Sequence, residues 1–366
     1  MKRLIICCDG TWNRADQVAN GEPCPTNVVK LAYRVAKRDT MGVPQIVYYD
    51  HGVGTGNTID RMTGGAFGRG LEENIHDAYR FLIANYEKGD EIFLFGFSRG
   101  AFTARSLAGM VRNCGILKRE AVAEYRNAIG LYRDRASDPN HENSRRFRGS
   151  FSICGDESVK IRMIGVWDTV GALGIPIQAL GLRRMTRSRH QFHDTELSSS
   201  VEYGFHALAI DERRGAFKPT LWADAPKDHT VEQVWFAGVH SDIGGGYPVA
   251  GLSDIALQWM MKKASQVAGL AFADFPGHPL HPEPRADRHV SRKGIYRLAP
   301  SYNRPIGLRV DLKGNRTDQH DSTQRVHDSV LERWEADPGY RPPQLMEYFQ
   351  RIGDPLVTDR EPVPTP

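Results

Sequence analysis

The chain has 366 residues, 40% hydrophobic and 25% charged, a composition that suits one large globular domain with insertions or two modest domains. Its formal net charge of +4 is too small for this length to mark a dedicated nucleic-acid binder, and no apolar stretch is long enough for a helical membrane span. Five cysteines, at positions 7, 8, 24, 114 and 154, form no C-x-x-C pair, so reduced and mostly buried thiols are expected. The apolar run at the N-terminus is broken at Asp9 and is too short for a secretory leader. Synthesis in the cytoplasm is therefore expected, with any export left to a route that reads no cleaved signal.

Strands and helices alternate through the first half, which predicts a mostly parallel sheet with flanking helices. Leu4 to Cys8 reads as a short buried strand ending at Asp9-Gly10-Thr11. Thr26 or Asn27 then caps a helix with Val28, Leu31, Ala32, Val35 and Ala36 on one face. Gln45 to Tyr49 is a second strand. It runs into Gly52-Val53-Gly54-Thr55-Gly56, which lacks the features of a dinucleotide or phosphate loop and reads as a rim loop. Leu71, Ile75, Tyr79, Leu82 and Ile83 mark an amphipathic helix. Residues 91–96 form a third strand. Lys160 to Val166 forms a fourth, ending at Trp167-Asp168, and Gln233 to Val239 a fifth, ending at His240. All five end in polar or glycine-rich motifs, and open α/β sheets bind ligands outside the carboxyl ends of their strands, so one shared site is expected there.

Residues 117–150 and 172–232 interrupt this alternation and read as insertions that form a cap, the first as a charged helix followed by a loop over Asp138–Arg148. The second carries an apolar stretch, Ile175–Leu182, beside a basic run, Arg183–Arg189. That pairing suits contact with a lipid or membrane surface, and it equally suits a solvated loop beside a packed helix. The main domain is expected over 1–275. Residues 276–366 read as an irregular, proline-rich extension packed on it, with one short helix near Ser322–Trp334.

The most specific motif is Gly96-Phe97-Ser98-Arg99-Gly100. An apolar strand precedes it, and Ala101, Ala104 and Ala108 follow at near-helical spacing. Gly-x-Ser-x-Gly between strand and helix is a nucleophile elbow: a serine on a strained turn leaves no room for bulky neighbours two residues away. Such a serine needs a base, and the base needs an orienting acid, in the chain order Ser, acid, His. Asp168 and His240 stand at strand ends in that order. Two other readings stay open: Asp168 as a helix cap, and a set of Ser98, Asp242 and His327. For an oxyanion hole the backbone amides of Arg99 and Thr11 are the candidates, with Asp9-Gly10-Thr11 as a plain turn the alternative. Arg99 also adds positive charge that favours an anionic or phosphate-bearing substrate. No metal-type histidine spacing is present. Neither a metal nor a cofactor is expected, although Asp9, Asp168 and Asp242, converging at strand ends, could together bind a cation.

Cys8–Asn13, Phe95–Arg105, Val166–Gly171, His206–Arg213 and Gly238–Tyr247 together resemble the widespread α/β-hydrolase domain family that includes the type VI-secreted phospholipase effectors. The resemblance runs from near residue 1 to about residue 250. It implies an α/β-hydrolase fold, lipase or phospholipase A activity, and a Ser–Asp–His triad at Ser98, Asp168 and His240. The resulting expectation is a serine hydrolase of lipid carboxylic esters with no cofactor and no nucleic-acid partner, its protein partners undefined. Two alternatives are a soluble carboxylesterase or thioesterase, and a catalytically silent scaffold that binds a partner or membrane through the basic cap.

Overall fold

The computed structural model describes residues 1–11, 13–19, 21–52, 64–134, 136–171, 197–223, 229–274, 279–292, 297, 301–310 and 316–353. The rim loop at 53–56 and the apolar and basic runs at 175–189 lie outside them. In chain order the strands are β1 (Arg3–Cys8), β2 (Val18–Ala19), β3 (Glu22–Pro23), β4 (Gln45–Asp50), β5 (Glu91–Phe97), β6 (Ile161–Trp167), β7 (Val201–Ala209), β8 (Thr230–Phe236), β9 (Leu308–Val310), β10 (Arg316–His320) and β11 (Gln324–Val326). The helices are α1 (Asn27–Arg34), α2 (Gly64–Asn85), α3 (Arg99–Cys114), α4 (Tyr125–Arg133), α5 (Glu142–Phe151), α6 (His240–Gly244), α7 (Gly251–Gln266), α8 (Asp328–Ala336) and α9 (Pro343–Ile352).

Seven strands form one sheet in the order β11-β8-β7-β6-β5-β1-β4, and every neighbouring pair is parallel. Parallel strands covered on both faces read as continuous apolar runs, which is why Leu4, Ile5, Ile6 and Cys7 are all buried. Alternation sorts them by face. Leu4, Ile6, Ile92 and Leu94 pack in one core with Tyr79 and Leu82 of α2 and Ala104 and Leu107 of α3. Ile5, Cys7, Phe93 and Phe95 pack in the other with Leu31 of α1 and Leu257 and Met260 of α7. Burying a side chain of this size contributes about 1.5–3 kcal/mol. All five cysteines are free thiols, four of them buried. A parallel sheet with helices on both faces and a strand–turn–helix elbow on an interior strand is the α/β-hydrolase architecture.

Three expectations change. Residues 172–232 are not one insertion, because Val201–Ala209 is strand β7 inside the sheet. Glu202, Gly204 and His206 dilute its apolar signal, and pairing with β6 and β8 on either side makes it a strand. Most of the loop expected over 138–148 is helix α5. His141 caps it by accepting from the Asn143 amide, and Arg148 donates to the carbonyls of Asn113 (3.1 Å) and Pro139 (2.7 Å). Finally, within the C-terminal region the described residues from Leu308 to Ile352 are not irregular. They supply the edge strand β11 and the helices α8 and α9, whose Trp334, Leu345 and Phe349 form a third core with Leu208 of β7 and Trp235 of β8.

Candidate active site

Strand β5 delivers Ser98 into the turn that opens α3. Its backbone sits at φ +58° and ψ −119°, a left-handed conformation that L residues seldom adopt, and its amide donates to the Trp167 carbonyl at 3.0 Å. The flanking glycines are steric necessities. A Cβ on Gly96 would lie 2.5 Å from the Gly100 carbonyl oxygen, and one on Gly100 would lie 2.1 Å from the Cys8 carbonyl oxygen and 2.4 Å from that of Asp9. Backbone atoms cannot give way as a flexible side chain can. Gly100→Ala is therefore expected to lower stability by about 1–3 kcal/mol or more and to slow modification of Ser98 by a fluorophosphonate. A thermal melt and a labelling time course check this, and a variant unchanged in both would contradict the close approach.

The structure joins Ser98, His240 and Asp168 in one hydrogen-bonded chain. Ser98 Oγ lies 2.8 Å from His240 Nε2, and His240 Nδ1 lies 2.5 Å from Asp168 Oδ2. All three side chains are buried. His240 opens α6 after β8, with its ring against Phe97 (4.6 Å between centroids) and edge-on to Phe217 (4.9 Å). Its amide faces Glu212 Oε2 at 3.4 Å. Burial pushes the imidazole below its ordinary value, more than Asp168 pulls it up, so the ring is neutral at pH 7. In the tautomer with the proton on Nδ1, that nitrogen donates to Asp168 while Nε2 accepts from the serine hydroxyl.

Asp168 follows β6 with φ at +40°. Its Oδ1 accepts from the Ala209 amide (3.0 Å) and from Arg304 Nη1 (2.6 Å), and its Oδ2 accepts from Arg304 Nη2 (3.1 Å) as well as from His240. Burial alone would raise this carboxyl. The Arg304 guanidinium and the His240 contact outweigh it and hold Asp168 well below the usual carboxylate range. Asp168 is no mere helix cap.

The turn after β1 runs beside the serine. A Cβ on Gly10 would lie 3.3 Å from the Ser98 Cβ, and Thr11, next in the chain, is buried. Asp9 fixes this turn by accepting from the Gly10 amide (2.6 Å), Thr26 Oγ1 (2.8 Å) and Tyr49 Oη (2.7 Å). Burial raises its carboxyl to about 6. Arg99 opens α3, whose first amides carry the partial positive charge of a helix N-terminus.

Asp242 and His327 do not join this chain. Asp242 accepts from the Val239 amide (2.9 Å) and pairs with His289 Nδ1 (2.6 Å). His327 caps α8 beyond the edge strand β11, pairs with Ser329 Oγ (2.9 Å) and stacks on Phe236. Four strand spacings, about 19 Å, separate β11 from β5. Asp9, Asp168 and Asp242 thus each hold different partners, and among the described residues no group of three or more His, Cys, Asp or Glu side chains could hold a metal ion. Sequence reasoning missed Arg304, Phe217 and His289, which neither end a strand nor repeat with a period, so only the fold brings them to the site. Glu212 lies in the His206–Arg213 motif just past β7, but the motif alone gives it no role there.

An elbow serine after an interior strand of a parallel sheet marks the α/β-hydrolase class. Within it, this chain belongs to the family described as "T6SS, Phospholipase effector Tle1-like, catalytic domain", whose model matches residues 2–263. The chain is 32% identical over 247 residues to the uncharacterized protein YEL023C of Saccharomyces cerevisiae, a match covering 62% of this chain and 33% of that protein. It therefore spans about a third of the length of the curated relative it matches. Similar solved structures include an uncharacterized protein from Pseudomonas aeruginosa, with TM-score 0.44 and 18% identity over 75% of this chain and 48% of that one. Another is the Tle1 effector bound to the VgrG spike of the type 6 secretion system, with TM-score 0.39 and 23% identity over 67% of this chain and 51% of that one.

Proposed function

We propose that this protein is a serine hydrolase that cleaves carboxylic esters of lipids, as a lipase or phospholipase A does. The observation that carries the reading is the continuous chain from Ser98 Oγ through His240 to Asp168. Ser98 Oγ attacks the ester carbonyl while His240 Nε2 takes its proton. The tetrahedral oxyanion is stabilised by the backbone amides of Arg99 and Thr11. Collapse expels the alcohol, which receives the proton from His240, and leaves an acyl group on Ser98. Water, activated by His240, then releases the fatty acid and restores the enzyme. Asp168 holds the imidazole and stabilises its charged form at both steps.

Family membership supports a lipid substrate, and it supports export by a system that reads no cleaved signal. Among the described residues no helix is long and apolar enough to cross a membrane. The domain reading is a single hydrolytic unit whose sheet is completed at its edge by β11.

The experiment pairs short- and long-chain p-nitrophenyl esters with a fluorogenic phospholipid, on the wild type and Ser98→Ala, and adds fluorophosphonate labelling. Serine-dependent turnover of the long chains and the phospholipid is expected. Turnover of short esters alone would move the assignment to a soluble esterase. No turnover together with an unlabelled Ser98 would leave the silent scaffold.

A further inference from the structure

Arg304 is fully buried, and its guanidinium grips both oxygens of Asp168 while donating to two backbone carbonyls, those of Ala209 (2.9 Å) and Phe217 (2.6 Å). A planar fork bound at both ends to a carboxylate, and anchored behind by carbonyls, leaves neither group free to rotate. The residue comes from the segment 301–310, outside the 2–263 stretch that the family model matches. We propose that Arg304 is a positioning residue of the hydrolytic site: its fork fixes the carboxylate so that Oδ2 faces His240 Nδ1, and its charge keeps the Asp168–His240 pair from taking up a proton. This inference rests on the serine-hydrolase reading above.

His240 faces Ser98, Asp168, Glu212 and Arg214 together with the rings of Phe97 and Phe217. Glu212 is itself paired with Arg214 at 2.7 Å, which offsets its charge. On the side of Asp168 stand Arg304 and the buried His206, whose Nε2 accepts from the Thr169 amide at 3.1 Å and which is kept neutral by burial and by Arg105. Arg304 is thus the cation that directly neutralises Asp168. Without it, one buried negative charge beside a neutral imidazole draws a proton onto the pair, and the base is blocked at a higher pH. A purely structural ion pair would affect folding and leave this titration where it is.

The test uses the full chain with Arg304→Gln, which removes the charge, and Arg304→Lys, which keeps the charge and loses the fork. His240 is titrated by NMR with labelled histidine, and the pH profile of Ser98 labelling by a fluorophosphonate is recorded beside it. In Arg304→Gln the apparent pKa of His240 and the acid limb of labelling are expected to rise together by about one unit or more. In Arg304→Lys the limb is expected to return most of the way, while the plateau rate stays roughly tenfold or more below wild type. A folded Arg304→Gln whose titration and limb match wild type would overturn the charge role. A lysine variant with an unchanged plateau would overturn the positioning role, and it decides alone if the glutamine variant does not fold. An unreactive Ser98 in the wild type would instead overturn the hydrolase reading, while the NMR titration would still report on the clamp.

Discussion

Ser98→Ala is expected to cut ester turnover by roughly 10⁵–10⁶ in kcat while leaving the melting temperature close to wild type. The two halves of this expectation have different physical origins. Ser98 Oγ pairs with His240 Nε2, so its deletion costs the fold a single hydrogen bond, worth about 1 kcal/mol. The backbone strain at φ +58° is shared by serine and alanine, so it neither rises nor relaxes. Turnover, by contrast, loses its nucleophile outright. What remains is attack by water in a site that keeps the proposed oxyanion donors, the amides of Arg99 and Thr11, which leaves a residual rate above the uncatalysed one. Steady-state kinetics on a long-chain ester and a thermal melt check both halves. Activity retained at a tenth of wild type would place the reaction elsewhere on the molecule. Members of such a chain act as a unit, so Ser98→Ala combined with Asp168→Asn is expected to be no slower than Ser98→Ala alone.

How much of this is legible in the sequence depends on whether the signal is local. Strands β1, β5, β6 and β8 are apolar runs that end in a polar motif, and their placement along the chain follows from that pattern, whereas their order in the sheet comes from the fold. Ser98, Asp168 and His240 each follow such a strand, so the elements that carry them could be read before any contact was known. Strand β7 is hidden because His206 and Gly204 occupy its centre, and its assignment depends on neighbours on both sides. Strand β11 has three residues, too few to show a period, and exists because β8 offers it an edge. Arg304 sits between Asn303 and Pro305 with nothing in its surroundings to mark it. A guanidinium 136 residues along the chain from its carboxylate is a purely tertiary fact. The elbow and its strand-end partners are therefore written locally, and the electrostatic support of the site is written in the fold.

That support makes Asp168→Asn the more damaging substitution for the molecule as a whole. Each carboxylate oxygen accepts two hydrogen bonds, Oδ1 from Ala209 and Arg304, Oδ2 from His240 and Arg304. An asparagine must turn its NH₂ toward one of these pairs of donors. Facing His240, it forces the ring proton onto Nε2, the nitrogen that has to accept from Ser98, and kcat is expected to fall about 10⁴-fold. Facing Ala209, it sets donors against donors. Either way Arg304 is left as a buried charge without its counterion, at an expected cost of about 3–5 kcal/mol. Asparagine tolerates the positive φ of Asp168, so backbone strain adds little to this figure. The pH dependence carries a definite sign. Asp168 is held below its unfolded value, so its stabilisation is complete above about pH 4 and fades as pH falls through the folded value. Urea unfolding should therefore show the full gap between wild type and Asp168→Asn at pH 7 and a smaller one below pH 4 or so; a gap independent of pH would remove the charge from the explanation. Adding Arg304→Gln to Asp168→Asn removes the orphaned cation and is expected to recover much of the lost stability. Activity should not return with it, because the asparagine carries no charge to stabilise the imidazolium and, with its NH₂ facing His240, keeps the ring proton on the wrong nitrogen.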